Sequence, residues 1–293
     1  MIGETDRSQL EHTSTRWGGV KLRYLLPHEF PKVDPPLDAM SVEGDFTRGR
    51  IHVAIVGARA ALPTSVALAT RLAEIVARNS GVVVSGGANG VDAAAHGGAI
   101  DAGGRTWAVL GCGAPNLTPS GRKLADPLRF ERILASGGAI IRPFPHDTPA
   151  MRPLFLSRNR VTMALADIVV VIQAADRSGT WHAANRAREM NKEIWVVPGM
   201  GAPFVGSWDL VRKGGRVMRS EEEFADRVAT ASAPPSFDGD CGAVFDALGP
   251  GARHPDEIAA ETGLSTAAVA AALLTLALGD VVVEGSAGLF QRK

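Results

Sequence analysis

The 293-residue sequence predicts an α/β chain, with a doubly wound, mostly parallel sheet, a short N-terminal arm and a small C-terminal helical module. Three observations carry that prediction. Short β-branched runs ending in glycine alternate with stretches of helical periodicity from Arg50 to Val197. The connections between them are short, as parallel β-α-β units require. A Ser/Ala/Pro-rich stretch from Thr230 to Gly239 then sets the last residues apart as a linker would. The expected division is an arm or lead-in over 1–45, the main domain over 46–229, the linker over 230–239 and the module over 240–293.

Residues 1–50 are rich in proline (Pro27, Pro31, Pro35, Pro36) and poor in periodic pattern, so they read as an extended arm and a lead-in with little structure of their own. Residues 51–56 (IHVAIV) form the first strand, closed by Gly57-Ala58-Arg59, and 65–79 has apolar residues at helical spacing. Val82-Val83-Val84 reads as a buried strand, running into Ser85-Gly86-Gly87-Ala88-Asn89-Gly90 and an alanine-rich helix from Val91 to about 102. A strand at 106–110, a helix at 124–136 and a strand at 139–142 follow. A proline-rich stretch to Pro153 leads to a helix expected at 158–166. The sheet continues with a strand at 168–173, a helix opened by Ser178-Gly179-Thr180 and a strand at 194–197. After the linker, three helices near 242–248, 255–262 and 266–278 and a β-hairpin over 281–290 make the pattern of a winged helix.

Hydrophobic residues are 45% and charged residues 21%, an ordinary globular composition. No apolar run spans a bilayer and the polar N-terminus lacks a signal-peptide pattern, so the expected compartment is the cytoplasm, with no membrane partner. Cys112 and Cys241 supply neither a disulfide framework nor a metal-ligand spacing. The net charge of zero hides an asymmetry. Residues 142–219 hold 12 Lys/Arg against 6 Asp/Glu, and residues 220–293 hold 4 against 12.

In a doubly wound sheet a ligand sits beyond the carboxyl ends of the strands. Gly57, Arg59, the 85–90 loop, Gly111–Gly113 and Ser178–Thr180 all fall on that edge. Small-residue loops at helix N-termini expose N–H groups to an anion, and a guanidinium binds phosphate bidentately. Arg158, Asn159 and Arg160 open the helix expected at 158–166, where cations oppose the helix dipole, so anion binding explains them better than local stability does. Arg122 and Lys123 suit backbone contacts and solvent equally. Asp92 and His96 share a helix face as a cap and a buried histidine, and Cys112 reads as a small buried residue. Arg212–Arg216 is a solvated basic turn. Phe144, Phe155, Trp181 and Phe204 could stack on bases, although core packing suits each of them better. No catalytic group, metal site or cofactor is expected: GxGxxG and GxxxxGK[ST] are both absent.

Together these segments resemble the DprA/Smf family of bacterial DNA-processing proteins. The resemblance runs from about residue 27 to 219 through VGAR at 56–59, SGGANGVDAAAHGGAIDAGG from Ser85, WAVLGCG at 107–113, FLSRNRV at 155–161, Ser178-Gly179-Thr180 and Val197-Pro198-Gly199, with a weaker match in the module. It implies an extended Rossmann-like fold that binds single-stranded DNA without catalysis, a homodimer, and a mediator that loads the RecA recombinase in transformation and recombination. Carried over by position, Arg59, Ser85, Gly86, Gly87, Asn89, Gly90, Arg158 and Asn159 would line the DNA pocket, supported by Arg160, Ser178 and Gly179. Relatives carry Ser-Glu at Ile141-Arg142 and Glu-Ala at Gln173-Ala174; losing two carboxylates is expected to make the pocket edge more positive. Ala114-Pro115 replaces their tyrosine-proline.

Physical chemistry separates the C-terminal module from that picture. Its third helix has no Arg, Lys, Asn or Gln to meet a base edge, and from Ser236 onward 3 Lys/Arg face 8 Asp/Glu. The module is therefore expected to face protein rather than DNA. The competing reading of the main domain is a phosphoribohydrolase-like enzyme acting on nucleotides. Its PGGxGT-like loop and nearby glutamate are not matched by SGGANG with Asp92 or by SGTWHAA.

Overall fold

Apolar runs that continue through both faces of a strand need cover on both sides, and the first unit supplies it. The computed structural model describes residues 15–17, 20–113, 127–145, 147–233, 237–249, 251–279 and 281–292. Its contacts divide the chain between Ala233 and Pro234.

In the first unit, β1 (Thr15–Trp17), β2 (Val20–Leu25), β3 (Met40–Gly44), β4 (His52–Gly57), β5 (Val82–Ser85), β6 (Arg105–Val109), β7 (Ala139–Arg142), β8 (Ile168–Ile172), β9 (Glu193–Val197) and β10 (Arg216–Val217) form one sheet. Their order is β1-β2-β3-β7-β6-β5-β4-β8-β9-β10. From β7 to β10 the neighbours are parallel, and β1 to β3 add antiparallel pairs at the edge. The helices are α1 (Pro63–Arg78), α2 (Val91–Asp101), α3 (Pro127–Ala135), α4 (Arg152–Leu165), α5 (Gly179–Glu189), α6 (Val205–Arg212) and α7 (Glu221–Ser232).

The alternation along β4 shows how the layers are held. Val53 and Ile55 face a core made with Leu72 and Val76 of α1, Ala95 of α2 and Phe224 and Val228 of α7. Ala54 and Val56 face the other core, with Met163 of α4 and Ala183, Ala184 and Ala187 of α5. Burial on both faces explains the unbroken β-branched runs. The winding direction reverses between β4 and β8, so this is a Rossmann-like α/β unit whose switch point lies between those strands.

Two expectations need correction. The lead-in is not without structure of its own, because β2 and β3 lie within the proposed arm. β3 pairs with β7 in register Val42↔Ile141, and Glu43 and Arg142 meet at 2.8 Å in a nearly buried ion pair across that seam. Edge strands of three to six residues carry no long apolar run; β3 is templated by β7, β2 by β3 and β1 by β2. The second correction concerns α4, which begins at Arg152 instead of 158. Pro153 sits in its first turn, where the missing N–H costs nothing and the fixed φ favours a start. Of the proposed linker, Thr230 to Ser232 belong to α7.

The second unit has its own core. α8 (Gly239–Leu248), α9 (Pro255–Thr262) and α10 (Thr266–Leu278) enclose Val244, Phe245, Leu248, Ile258, Val269, Leu273 and Leu276. Helices α9 and α10 are bent by 115° from one another, the angle of a helix-turn-helix. The wing is β11 (Val282–Glu284) antiparallel to β12 (Phe290–Arg292). Among the described residues no single helix is long and apolar enough to cross a membrane.

Candidate nucleic-acid interface

At the switch point the carboxyl ends of β4 and β8 open into a cleft of about 600 Å³. The end of β4 gives it Gly57, the β4–α1 connection gives it Ala58 and Arg59, and the β5–α2 loop gives it Gly86 and Ala88. Arg152, Phe155, Arg158 and Asn159 come from α4, Gln173, Arg177 and Ser178 from the β8–α5 connection, and Gly179 from the start of α5. A smaller pocket of about 260 Å³ shares Arg59, Gly86, Ala88, Phe155 and Arg158 with the cleft and adds Gly87, Asn89 and Phe130. Four arginines against one carboxylate, Asp92, make the cleft strongly cationic.

The arginines are held in different ways. Arg59 pairs with no carboxylate among the described residues; its guanidinium lies 4.9 Å from the Phe155 ring centroid, a cation–π contact that leaves its donors free. Arg152 and Arg177 are exposed on the rim. Arg158 is only 5% exposed and donates from Nη1 to the Val109 carbonyl at 2.7 Å. Its Nε has no partner. A Cβ on Gly86 would collide with this guanidinium and crowd the Asp92 carboxylate, so the glycine makes room for both charges. Burial raises the pKa of Asp92 above the ordinary carboxylate value, and the charge on Arg158 pulls it partly back. Arg158 thus forms the floor of the cleft rather than a free arm.

The loops are locked from within. Gly90 precedes α2 at φ 77°, and a side chain there would meet the Ala58 and Arg59 carbonyls. Ser85 is buried and donates to the Ile55 carbonyl at 2.6 Å. Ser178 caps α5, its Oγ accepting from the Trp181 N–H at 3.2 Å. Asn159 Nδ2 donates to the Gly179 carbonyl at 3.4 Å, tying α4 to that cap. Gln173 Oε1 accepts from the Leu62 N–H at 2.8 Å, which closes the far wall.

Of the residues singled out from sequence, Gly57, Arg59, Gly86, Arg158, Asn159, Ser178 and Gly179 line the cleft, and Gly87 and Asn89 line the adjoining pocket. Ser85 and Gly90 support the loop from behind. Arg160 is not brought to the cleft: its Nη1 donates to the Pro35 carbonyl at 2.6 Å and pins the N-terminal segment. The dipole argument for Arg158 to Arg160 fails with the corrected start of α4, since all three lie inside the helix. Arg142 does not add charge to the rim, because Glu43 neutralises it. Arg122 and Lys123 lie outside the described residues.

Sequence reasoning missed Arg152, Arg177 and His182 on the cleft wall and Arg129 beside it. Once the helix is started at 152, Arg152, Phe155, Leu156 and Asn159 fall at i, i+3, i+4 and i+7 on one face, a signal that could have been read. His96, beneath the same loop, is completely buried. Its Nδ1 lies 2.7 Å from Thr106 Oγ1, and burial brings its pKa down to about 3.

Fold and cleft together define a Rossmann-like α/β protein with a cationic cleft at its switch point and a winged-helix module. Family comparison then agrees over most of the chain: the model for DNA recombination-mediator protein A matches residues 25–229, and the DprA winged helix domain matches residues 228–288. The chain belongs to the DprA family. It is 33% identical over 237 residues to a DprA-type protein of Mycobacterium tuberculosis, covering 76% of this chain and 60% of that one. With the DNA processing protein DprA of Bacillus subtilis it shares 30% identity over 201 residues, 67% of this chain and 65% of the other. The chain therefore spans somewhat less than two thirds of the length of these relatives. Among solved structures, DNA processing protein A of Helicobacter pylori, described for its single-stranded DNA binding mode, superposes with a TM-score of 0.62 at 27% identity, covering 72% of this chain and 97% of that one. The Streptococcus pneumoniae protein gives 0.54 at 25% identity over 64% and 65%.

Proposed function

We propose that this protein binds single-stranded DNA and acts as a recombination mediator, protecting incoming strands and loading the RecA recombinase onto them during natural transformation and homologous recombination. The observation that carries the binding half is the cleft itself, where Arg59, Arg152 and Arg177 surround backbone loops at helix N-termini. The Helicobacter relative, whose description names single-stranded DNA binding, supports it. The recombinase, the homodimer and a cytoplasmic setting rest on family membership.

Titrating a labelled oligo(dT) at several salt concentrations tests the binding half. The expected result is affinity that falls steeply with salt and depends little on base sequence, weakened by Arg59→Ala and by Arg152→Ala. Binding by both variants equal to the parent at physiological salt would remove the cleft from the account. Screening nucleoside monophosphates for base release tests the enzymatic alternative. That chemistry asks for an accessible carboxylate, whereas Asp92, the carboxylate on the described cleft wall, is buried beside Gly86 and Arg158.

A further inference from the structure

Arg129 on α3 lines neither cavity, yet it holds the loop between them. Its Nη1 donates to the carbonyls of Gly87 at 3.2 Å and Ala88 at 3.1 Å, and its Nη2 to Asn89 Oδ1 at 3.1 Å. These are acceptors on three successive residues of the loop. A carbonyl or amide oxygen turned toward a phosphate repels it, while a backbone N–H attracts it. A planar guanidinium, with several donors in one rigid fork, can engage all three at once. With Oδ1 turned to Arg129, the Asn89 side chain keeps its two Nδ2 donors for a ligand.

We propose that Arg129 is a positioning residue for the cleft. It withdraws acceptors on residues 87–89 and leaves the phosphodiester backbone to the loop N–H groups other than that of Ala88, which donates to Asp92 Oδ2 at 3.4 Å, without itself touching the strand. This role rests on the single-strand reading above. It differs from a phosphate contact, which would release counterions, and from a diffuse charge effect, which any cation at 129 would reproduce.

The salt dependence separates these roles. For single strands, each phosphate contact adds about 0.7 to the slope of log affinity against log salt. Arg129→Ala is expected to weaken oligo(dT) binding about tenfold at every salt concentration while leaving that slope unchanged, the scale of losing charge-assisted hydrogen bonds. Arg59→Ala, measured beside it, should lower the slope. Arg129→Lys keeps the charge but not the fork and should recover little of the affinity. A slope that falls with Arg129→Ala, or full recovery with Arg129→Lys, overturns the proposal.

Hydrogen exchange in the free protein decides the clamp without DNA. Amides 87–90 should exchange faster in both Arg129 variants than in the parent. Unchanged exchange overturns the proposal even if DNA binding is lost. Should the parent fail to bind oligo(dT) at all, the single-strand reading falls, and the exchange result still decides whether Arg129 orders the loop. Either variant suffices for that measurement if the other does not fold.

Discussion

The cleft unit and the C-terminal unit are both built on folds that often serve nucleic acid, yet their surfaces are opposite. At the switch point Arg59, Arg152 and Arg177 stand free around a floor made by Arg158. On α10 the exposed positions are Thr266, Ala267, Ala270, Ala271, Leu274, Thr275 and Leu278, with Leu274 62% and Leu278 80% exposed, and the helix carries no cation or side-chain amide. The difference teaches that a fold decides where a ligand could sit, and the side chains placed there decide whether a polyanion does. A helix-turn-helix without Arg, Lys, Asn or Gln on its second helix lacks the side chains that make bidentate contacts to purine edges.

The largest expected effect tests the claim that Arg158 is floor and Arg59 is arm. Arg158→Met should destabilise the protein by about 1.5–3 kcal/mol, because the buried Asp92 loses the strongest opposing charge acting on it and the Val109 carbonyl loses its guanidinium donor. The penalty should depend on pH. Asp92 already has a raised pKa in the folded state, and removing Arg158 raises it further. Between the unfolded value of about 3.9 and the folded value, the native state holds a proton that the unfolded state has released, so stability falls as pH rises. Thermal denaturation should therefore show a smaller gap between variant and parent at pH 4 than at pH 7. A variant as stable as the parent at both would make Arg158 another free arm.

Arg59→Ala comes next. Its fold should be intact and its oligo(dT) affinity about tenfold lower, or about 1.4 kcal/mol. Fluorescence anisotropy checks it, and a variant that loses stability instead of affinity would reverse the roles of the two arginines.

A third measurement sharpens the account of what lies beneath the cleft loops. His96 resists protonation until about pH 3 when folded but takes a proton near the ordinary imidazole value of 6.5 when unfolded. The parent should therefore lose stability as pH falls through that window. His96→Asn, whatever its cost at neutral pH, should show a shallower acid slope in denaturant titrations. An equal slope would mean that the acid sensitivity arises elsewhere.

The smallest effect is expected from the other unit. Ending the chain after Ala233 should change single-strand affinity by less than about twofold, since the acidic module offers phosphates nothing at this level. A large loss at unchanged fold and oligomeric state would erase the contrast between the two units.

Much of this was legible in the sequence. The β-branched runs of β4, β5 and β8 gave the parallel sheet, and the glycines after them marked its ligand edge. Gly57, Arg59, Gly86 and Ser178 could be read as a site because they end strands or open helices. Arg160 could not be separated from Arg158, since both are cations on one helix and only the packing shows one reaching Val109 and the other Pro35. β3 was hidden because its strand character depends on β7, nearly a hundred residues away.

Local order, then, was written into the chain itself: period, glycine placement and charge blocks depend on neighbours a few residues apart. Tertiary structure alone decided which cations are free and which are spent. A guanidinium binds whatever oxygen lies within reach, and for Arg129, Arg142, Arg158 and Arg160 that oxygen belongs to a distant part of the chain.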